Sequence, residues 1–192
     1  MSLYFIALLP PQHIHHYPNQ IKQHFAENYS SHNAHKSPPH FTLQSPFDWQ
    51  DDNIAALESC LQNFVAFPQE SIPITLNNLG AFAPRVIYIH VNKNEELLAL
   101  KTKLMAHMED ELGIVDPVSK KCSFTPHMNV AFRDLTKQNF KLAWQHFKAQ
   151  ELYFQFTALH KCGMISLFKD FSMVSNPNSS RTYATPNSLQ LS

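Results

Sequence analysis

The sequence predicts an α+β fold of two lobes, in which two antiparallel-type sheets, related by an approximate twofold, flank a central cleft and carry helices on the outside. Two observations lead to this prediction. The predicted elements run strand–helix–strand–helix–strand in the first half, and the second half repeats this order with one further strand. The middle strand of each half carries the same pattern of residue types: proline, histidine, apolar, small polar, apolar. A single split α/β sandwich is the nearest alternative.

Hydrophobic periodicity assigns the elements of the first half. Alternating apolar residues indicate a strand, whereas apolar residues three and four positions apart indicate a helix. Pro10 and Pro11 stop the first apolar run, which is therefore read as a short buried strand. The predicted elements are a strand over residues 3–9, a helix over 13–28, a loop over 30–38, a strand over 39–43, a helix opened by Asp51 and Asp52, and a strand over 72–79.

The second half contains similar material. Residues 85–91 give the strongest strand signal, because they are rich in β-branched and aromatic side chains. Asn94 and Thr136 are predicted helix N-caps, since both side chains can accept a hydrogen bond from the first turn. The predicted elements are a strand over 85–91, a helix over 95–111, a strand over 122–132, a helix after Thr136, and a terminal hairpin formed by 151–159 and 164–171.

The domain organisation follows from the length and from the composition of the C-terminal end. A chain of 192 residues has the usual size of one domain, or of two small lobes that share a core. We predict one bilobal domain over residues 1–174, with lobes built from about 1–80 and 85–171. Residues 175–192 are rich in Ser, Asn and Pro, which predicts a loosely held tail. A monomer is the default expectation for a protein with its own cleft.

The overall charge and the glycine content exclude several classes of protein. Fifteen Lys and Arg balance fifteen Asp and Glu, so the formal net charge is zero. This argues against a protein that binds a long nucleic-acid duplex, which needs a basic stripe. The three glycines, Gly80, Gly113 and Gly163, are isolated from one another. Rossmann fingerprints and P-loops need clustered glycines, so both motifs are excluded. The small number of glycines also excludes the G-x-S-x-G elbow of hydrolases.

Cysteine usage and hydropathy predict a cytoplasmic protein that is not associated with a membrane. Cys60, Cys122 and Cys162 are an odd set without C-x-x-C spacing. Free thiols in a reducing compartment therefore fit better than a disulfide framework. The apolar run over residues 3–9 is too short to span a bilayer, and no other stretch approaches the required length.

Two histidines, His40 and His127, are the candidate catalytic residues. Side chains alternate between the two faces of a strand, so His40 shares a face with Thr42, and His127 shares a face with Asn129. If the apolar faces pack against helices, both polar faces turn towards the space between the lobes. Two imidazoles and two hydrogen-bonding side chains then converge on one cleft.

This group of side chains suits phosphoryl transfer without a metal or another cofactor. In-line attack on a phosphodiester needs a base beside the nucleophile and an acid beside the leaving oxygen. Imidazole has an ordinary pKa of about 6.5, so it can serve in either role near neutral pH. The Thr42 hydroxyl and the Asn129 amide can donate hydrogen bonds to the non-bridging oxygens, where charge must be stabilised.

The segments Pro39-His40-Phe41-Thr42-Leu43 and Pro126-His127-Met128-Asn129-Val130 resemble the paired H-x-T/S signatures of the 2H phosphoesterase superfamily. The opening Tyr4-Phe5-Ile6-Ala7-Leu8-Leu9-Pro10 and the context Phe124-Thr125 are similar to its 2′-5′ RNA ligase-like branch. The resemblance implies a bilobal fold with a central cleft and metal-independent chemistry on 2′-linked or 2′,3′-cyclic RNA phosphates.

The same resemblance implies roles for individual residues. His40 and His127 would form the acid/base pair, and Thr42 would bind the phosphate through its hydroxyl. Asn129 departs from the family pattern, which has Thr or Ser at this position. Its amide can still donate a hydrogen bond, but the departure puts efficient catalysis in question.

Four further residues are weaker candidates for substrate binding. Arg85 begins a strand and can reach a phosphate, although a solvated strand end explains it at least as well. Phe47, Phe82 and Phe132 can stack on a base. Core packing is the better explanation for each of them.

Three functions therefore stay open at this point. The first is a cofactor-independent cyclic phosphodiesterase or 2′-5′ linkage phosphoesterase, with RNA ends or small cyclic nucleotide phosphates as substrates. The second is a binding module of the same fold that holds a nucleotide or an RNA end without turnover. The third is a metal-dependent hydrolase, suggested by the spacing of His13 with His16 and of His32 with His35. No H-E-x-x-H motif accompanies these histidines, so a metal site is the least favoured.

Overall fold

The computed structural model of the 192-residue chain describes residues 1–66, 71–117, 122–158 and 164–169. The strands are β1 (Ser2–Leu8), β2 (Phe41–Trp49), β3 (Ile72–Phe82), β4 (Val86–Val91), β5 (His127–Ala131), β6 (Tyr153–Ala158) and β7 (Ile165–Lys169). The helices are α1 (His16–Tyr29), α2 (Ile54–Ala66), α3 (Glu95–Leu112) and α4 (Lys137–Phe147). Short 3-10 turns lie at Gln12–Ile14, Asn33–Lys36 and Asp51–Asn53. The order of strands and helices confirms the predicted order in both halves.

The strands form two antiparallel sheets, which confirms the predicted α+β class. One sheet has the strand order β2–β1–β7, and the other has the order β5–β4–β3–β6. The strands that carry the two histidine motifs, β2 and β5, each lie at the edge of a sheet, and they contact each other. The two motifs are therefore brought together where the sheets meet.

The pairing of two strands differs from the prediction. β3 belongs to the first half of the chain but pairs with β4 and β6, whereas β7 returns to pair with β1. This corrects the assignment of strands to lobes over 1–80 and 85–171. The predicted terminal hairpin is wrong, because β6 and β7 lie in different sheets. Periodicity identifies a strand, but it does not identify the partner of that strand.

The helices cross between the two sheets. α1 follows β1 but packs against β5 and α4. α3 follows β4, yet it packs against β2 of the other sheet as well as against β3 and α2. Buried aromatic rings join α1 to α4, since Phe25 stacks on Phe147 with ring centroids 4.9 Å apart. Each sheet is therefore packed against a helix that follows a strand of the other sheet.

Caps encoded in the sequence fix the starts of two helices. The Asn94 side chain accepts a hydrogen bond from the Leu97 amide at 2.7 Å, before the first turn of α3. The Thr136 hydroxyl accepts one from the Asn139 amide at 3.1 Å and begins α4. Both predicted caps are confirmed. α3 ends at Leu112, and the next residue, Gly113, has a φ of 68°, in the left-handed region that glycine adopts without strain.

The connection between α1 and β2 is anchored by a carboxylate from the second half of the chain. Asp134 accepts hydrogen bonds from the Ser31 hydroxyl at 2.8 Å, from the His32 amide at 2.7 Å and from the Asn33 amide at 2.9 Å. Ser31 is completely buried. The segment that leads to His40 is therefore tied to the segment that follows β5.

Three other predictions concern thiols, membrane segments and the tail. Cys60 and Cys122 are free thiols, while Cys162 and the predicted tail over 175–192 lie outside the described residues. In the parts of the chain that the structure describes, no helix is both long enough and apolar enough to cross a membrane.

Candidate active site

His40 lies on the loop that enters β2. The sequence predicts this residue inside a strand, whereas β2 begins one position later, at Phe41. The Nδ1 atom of His40 is 2.8 Å from the carbonyl oxygen of Pro38. Because a carbonyl oxygen can only accept, Nδ1 carries the hydrogen, and the lone pair of the neutral ring is on Nε2.

His127, the first residue of β5, repeats this arrangement. Its Nδ1 atom is 2.8 Å from the carbonyl oxygen of Thr125, again the residue two positions earlier. The backbone therefore fixes the same tautomer in both histidines. In each ring, Nε2 is the atom left to exchange a proton with a ligand.

Two aromatic side chains contact each histidine. Phe5 and Phe168 lie 5.3 and 5.4 Å from the His40 ring centroid, and Phe82 and Tyr88 lie 5.0 and 5.2 Å from that of His127. Phe168 on β7 is paired with Phe5 on β1, and Phe82 on β3 is paired with Val86 on β4. Phe168 and Phe82 therefore hold equivalent positions in the two sheets. The surroundings of the two rings are thus related by the approximate twofold.

Both histidines are more acidic than an exposed histidine. Burial lowers the pKa of His40 from its ordinary value of 6.5 to about 4; the hydrogen bond to Pro38 opposes this effect, and positive charge on Lys22 and on His127 reinforces it. Burial also lowers the pKa of His127, and the hydrogen bond to Thr125 opposes that effect. Near neutral pH both rings are therefore uncharged and can accept a proton at Nε2.

The low pKa of His40 makes the stability of the fold depend on pH. In the unfolded chain His40 titrates near 6.5, so between this value and about 4 the unfolded state binds a proton that the folded state does not. The free energy of unfolding should fall as the pH is lowered through this window. Between neutral pH and about pH 4.5, we expect urea unfolding to show a loss about 1–3 kcal/mol larger in the wild type than in His40→Gln. Equal losses in the two proteins would contradict this expectation.

Thr42 and Asn129 lie two positions after the histidines, on the same face of each strand. Thr42 is paired with Ala7 on β1, and Asn129 is paired with Tyr88 on β4. The Oδ1 atom of Asn129 is buried and has no hydrogen-bond partner among the described residues. An oxygen in this state can accept a hydrogen bond from a ligand hydroxyl, and rotation of the amide would present its N–H groups instead.

A glycine makes room for Tyr88 beside His127. A Cβ atom at Gly80 would lie 2.5 Å from two ring carbons of Tyr88. The tyrosine ring therefore lies across the backbone of β3, and Phe82 packs on it with ring centroids 4.5 Å apart. Only glycine at position 80 leaves the ring in place against the histidine.

Gly80→Ala should displace Tyr88 and disturb the surroundings of His127. Tyr88 is buried, so the extra methyl group cannot be accommodated by moving the ring into solvent. We expect a loss of about 1–3 kcal/mol in the free energy of unfolding, measured in urea. In a Tyr88→Ala background the same change should cost little, because the clash is absent. A full cost in that background would locate the strain elsewhere.

Comparison with known proteins identifies the family. Residues 10–161 match the family model described as the 2'-5' RNA ligase superfamily. The chain belongs to this superfamily. A protein of Bacillus pumilus (strain SAFR-032) that carries the provisional name phosphoesterase is 31% identical over 134 residues, which cover 67% of this chain and 68% of that protein. Another, from Geobacillus sp. (strain WCH70), is 30% identical over 156 residues, which cover 80% of this chain and 82% of that protein. Phosphoesterase is thus the general class of function.

Solved structures support the fold of this superfamily member. TT0787 of Thermus thermophilus matches with a TM-score of 0.60 and 18% identity over 88% of this chain and 87% of that chain. LigT of E. coli in complex with 3'-AMP matches with a TM-score of 0.55 and 16% identity over 96% of this chain and 94% of that chain. At these identities the likeness shows the fold alone.

The weaker candidates lie in different environments. Phe47 is buried in the hydrophobic core, opposite Tyr4 of β1. Phe132 is half-buried, and the guanidinium of Arg133 lies over its ring at 5.4 Å. Arg85 is exposed in the turn between β3 and β4. Any role of these three in substrate binding stays a prediction.

Several residues around His40 and His127 were missed by the sequence reasoning. They are Phe5, Tyr88 and Phe168, which contact the two rings, and His90, which is paired with His127 across β4 and β5. Phe82, considered above only for stacking on a base, also contacts the His127 ring. One signal was available, because an isolated glycine within a strand pattern, such as Gly80, marks a close approach. Among the described residues, no three His, Cys, Asp or Glu side chains are grouped as a metal site would require.

Proposed function

We propose that this member of the 2'-5' RNA ligase superfamily is a metal-independent phosphoesterase that acts on 2′,3′-cyclic phosphodiesters or 2′-5′ linkages of RNA ends or small nucleotides. The observation that carries the proposal is the pair of histidines at the meeting point of the two sheets. In both, Nδ1–H is bound to a backbone carbonyl, which leaves Nε2 for the substrate. The paired motifs and the family membership support the same chemistry.

The proposed reaction follows from these two nitrogen atoms. One neutral histidine takes a proton from water through Nε2, and the water oxygen bonds to phosphorus. The bond from phosphorus to the leaving ribose oxygen breaks, and the second histidine, protonated at Nε2, gives its proton to that oxygen. The product is an open phosphomonoester, and the proton balance is restored by exchange between the two rings and solvent.

Thr42 and Asn129 would stabilise the charge that develops on the non-bridging phosphate oxygens. The Thr42 hydroxyl can donate directly. Asn129 can donate only through its amide nitrogen, and its Oδ1 atom is the one that is buried without a partner among the described residues. The bound phosphate carries negative charge, which raises the pKa of a nearby histidine and allows one of the two rings to be protonated near neutral pH.

A small nucleotide is the favoured type of substrate. The net charge of the chain is zero, which suits a short or mononucleotide ligand better than a long duplex. LigT of E. coli, which shares the fold, was crystallised with 3'-AMP and with ATP. A non-catalytic nucleotide-binding module is the second candidate, because asparagine replaces the expected hydroxyl residue at position 129.

The test is turnover of a 2′,3′-cyclic mononucleotide and of a 2′-5′-linked dinucleotide in EDTA. The expected result is conversion of either compound to a phosphomonoester or to mononucleotides, detected by chromatography. Tight binding of the nucleotide without conversion would overturn the enzyme proposal in favour of a binding module. Asn129→Thr then decides whether the asparagine is responsible, because restored turnover would locate the defect at this residue.

A further inference from the structure

A buried lysine that the proposed reaction does not use lies beside His40. Lys22 on α1 is only 1% exposed, and its Nζ atom donates a hydrogen bond to the carbonyl oxygen of Ser37 at 2.9 Å. No carboxylate of the described part of the chain is within ion-pair distance of it. Burial lowers the pKa of Lys22 to about 7. A cation in such a position is costly, which calls for an explanation beyond packing.

The other half of the chain contains an equivalent lysine. Lys22 and Lys101 are each the seventh residue of their helix, α1 and α3, and these helices occupy matching places after β1 and β4. Lys101 is 6% exposed, donates to the Leu43 carbonyl at 2.7 Å and lies 4.8 Å from the centroid of the Phe124 ring. Ser37 and Phe124 each precede a histidine of the pair by three positions. The lysines are thus placed by the same twofold relation as the histidines.

The hydrogen bond of Lys22 bears directly on the orientation of His40. It fixes the carbonyl of Ser37, and the next carbonyl along the chain, that of Pro38, accepts the hydrogen of His40 Nδ1. Residues 30–40 connect α1 to β2, and in the described part of the chain no other lysine donates a hydrogen bond to a carbonyl oxygen of this segment. Holding one carbonyl therefore restricts the orientation of its neighbour.

The charge of Lys22 also acts on His40. Burial is the main cause of the low pKa of His40, and the positive charge of Lys22 lowers it further. The charge of His127 on β5 also lowers the pKa of His40. His35 and Lys36 lie on the 3-10 turn that packs against α1 and β5. Asp134, on the segment after β5, is engaged with the backbone of the α1–β2 connection. Among the described residues, no corresponding cation lowers the pKa of His127.

We propose that Lys22 is a positioning residue that orients the His40 loop and, through its charge, further favours the neutral, proton-accepting form of His40, so that His40 is the base and His127 the acid of the pair. The assignment of base and acid rests on the proposed function. The effect of Lys22 on His40 does not depend on the proposed function, since it concerns the titration of the His40 ring in the free protein.

The test compares charge-removing and charge-retaining variants by NMR titration of the histidine ring protons and by the pH dependence of kcat/KM. In Lys22→Met, the pKa of His40 should rise by about half a unit or more, and the acid limb of the rate profile should move to higher pH by the same amount. Lys22→Arg, which keeps the charge, should leave both near their wild-type values. Lys101→Met is the matched control, and it should leave the His40 titration in place.

Each outcome decides the question. A folded Lys22→Met protein with an unchanged His40 titration would overturn the proposal, as would an equal shift in Lys101→Met. If Lys22→Met does not fold, the wild-type protein provides the test. The chemical shift of the His40 ring protons should then show a second, smaller step near neutral pH, where Lys22 itself titrates. Absence of that step would also overturn it. These titrations need no substrate, so they stand even if the proposed phosphoesterase activity fails its own test.

Discussion

His40→Ala and His127→Ala should each lower kcat/KM for a 2′,3′-cyclic nucleotide by about 10²–10⁴-fold. The reason is that the proposed reaction requires a proton acceptor on one side of phosphorus and a proton donor on the other. Both rings offer Nε2, because each Nδ1 is engaged with a backbone carbonyl. Alanine removes the imidazole and leaves the side chains of Thr42 and Asn129 in place. Turnover in EDTA, with product followed by chromatography, is the measurement.

The double variant and an unrelated histidine serve as controls. The two histidines act on the same transition state, so the double variant should be little less active than the less active of the two single variants. His13, exposed in the first 3-10 turn, should tolerate alanine without loss of turnover. A loss in His13→Ala that is matched by loss of a bound metal would favour the metal-dependent alternative instead. Full activity in either single variant of the pair would refute the two-histidine mechanism.

Asp134→Ala should be among the most destabilising substitutions outside the hydrophobic core. The carboxylate accepts three hydrogen bonds from the α1–β2 connection, two of them from backbone amides. Removing it leaves the buried hydroxyl of Ser31 and both amides without this acceptor. Charged hydrogen bonds of this kind and the unpaired groups left behind correspond to a loss of about 2–4 kcal/mol in the free energy of unfolding. Urea unfolding at neutral pH measures it.

Asp134→Asn separates charge and geometry from side-chain size. The amide keeps one acceptor oxygen but turns N–H groups towards donors, so it should recover less than half of the lost stability. Glu96→Ala, at an exposed position of α3, is the control and should change the stability by no more than about 0.5 kcal/mol. If Asp134→Ala lowers the free energy of unfolding by no more than this control does, the hydrogen bonds of Asp134 do not anchor the α1–β2 connection in solution.

The sequence was sufficient to predict the order of the elements and the two histidine motifs. Strand and helix periodicities are local, and so are the caps at Asn94 and Thr136, which the structure confirms. The two motifs were recognisable because each places a histidine and a polar residue two positions apart at the start of an edge strand. The structure brings these strands into contact.

Strand partners and ring contacts could not be predicted in the same way. The pairing of β7 with β1 joins residues more than a hundred and fifty positions apart, and nothing in the local pattern of β7 names that partner. The same limit applies to Phe5 and Phe168, which read as ordinary core residues until the two strands are placed side by side. Lys22 was missed because a lysine next to apolar residues on a helix is normally exposed.

The crossing of helices between the sheets has a consequence for any attempt to divide the chain. A fragment that ends in the turn before β4 would contain α1 and β3 without the strands and helix that they contact, β4, β5 and α4. The remaining fragment would contain α3 and β7 without their partner strands β2 and β1. Neither piece should fold by itself, but the two expressed together should reassemble into one particle. The histidines would then come from separate polypeptides, and activity would appear only on mixing.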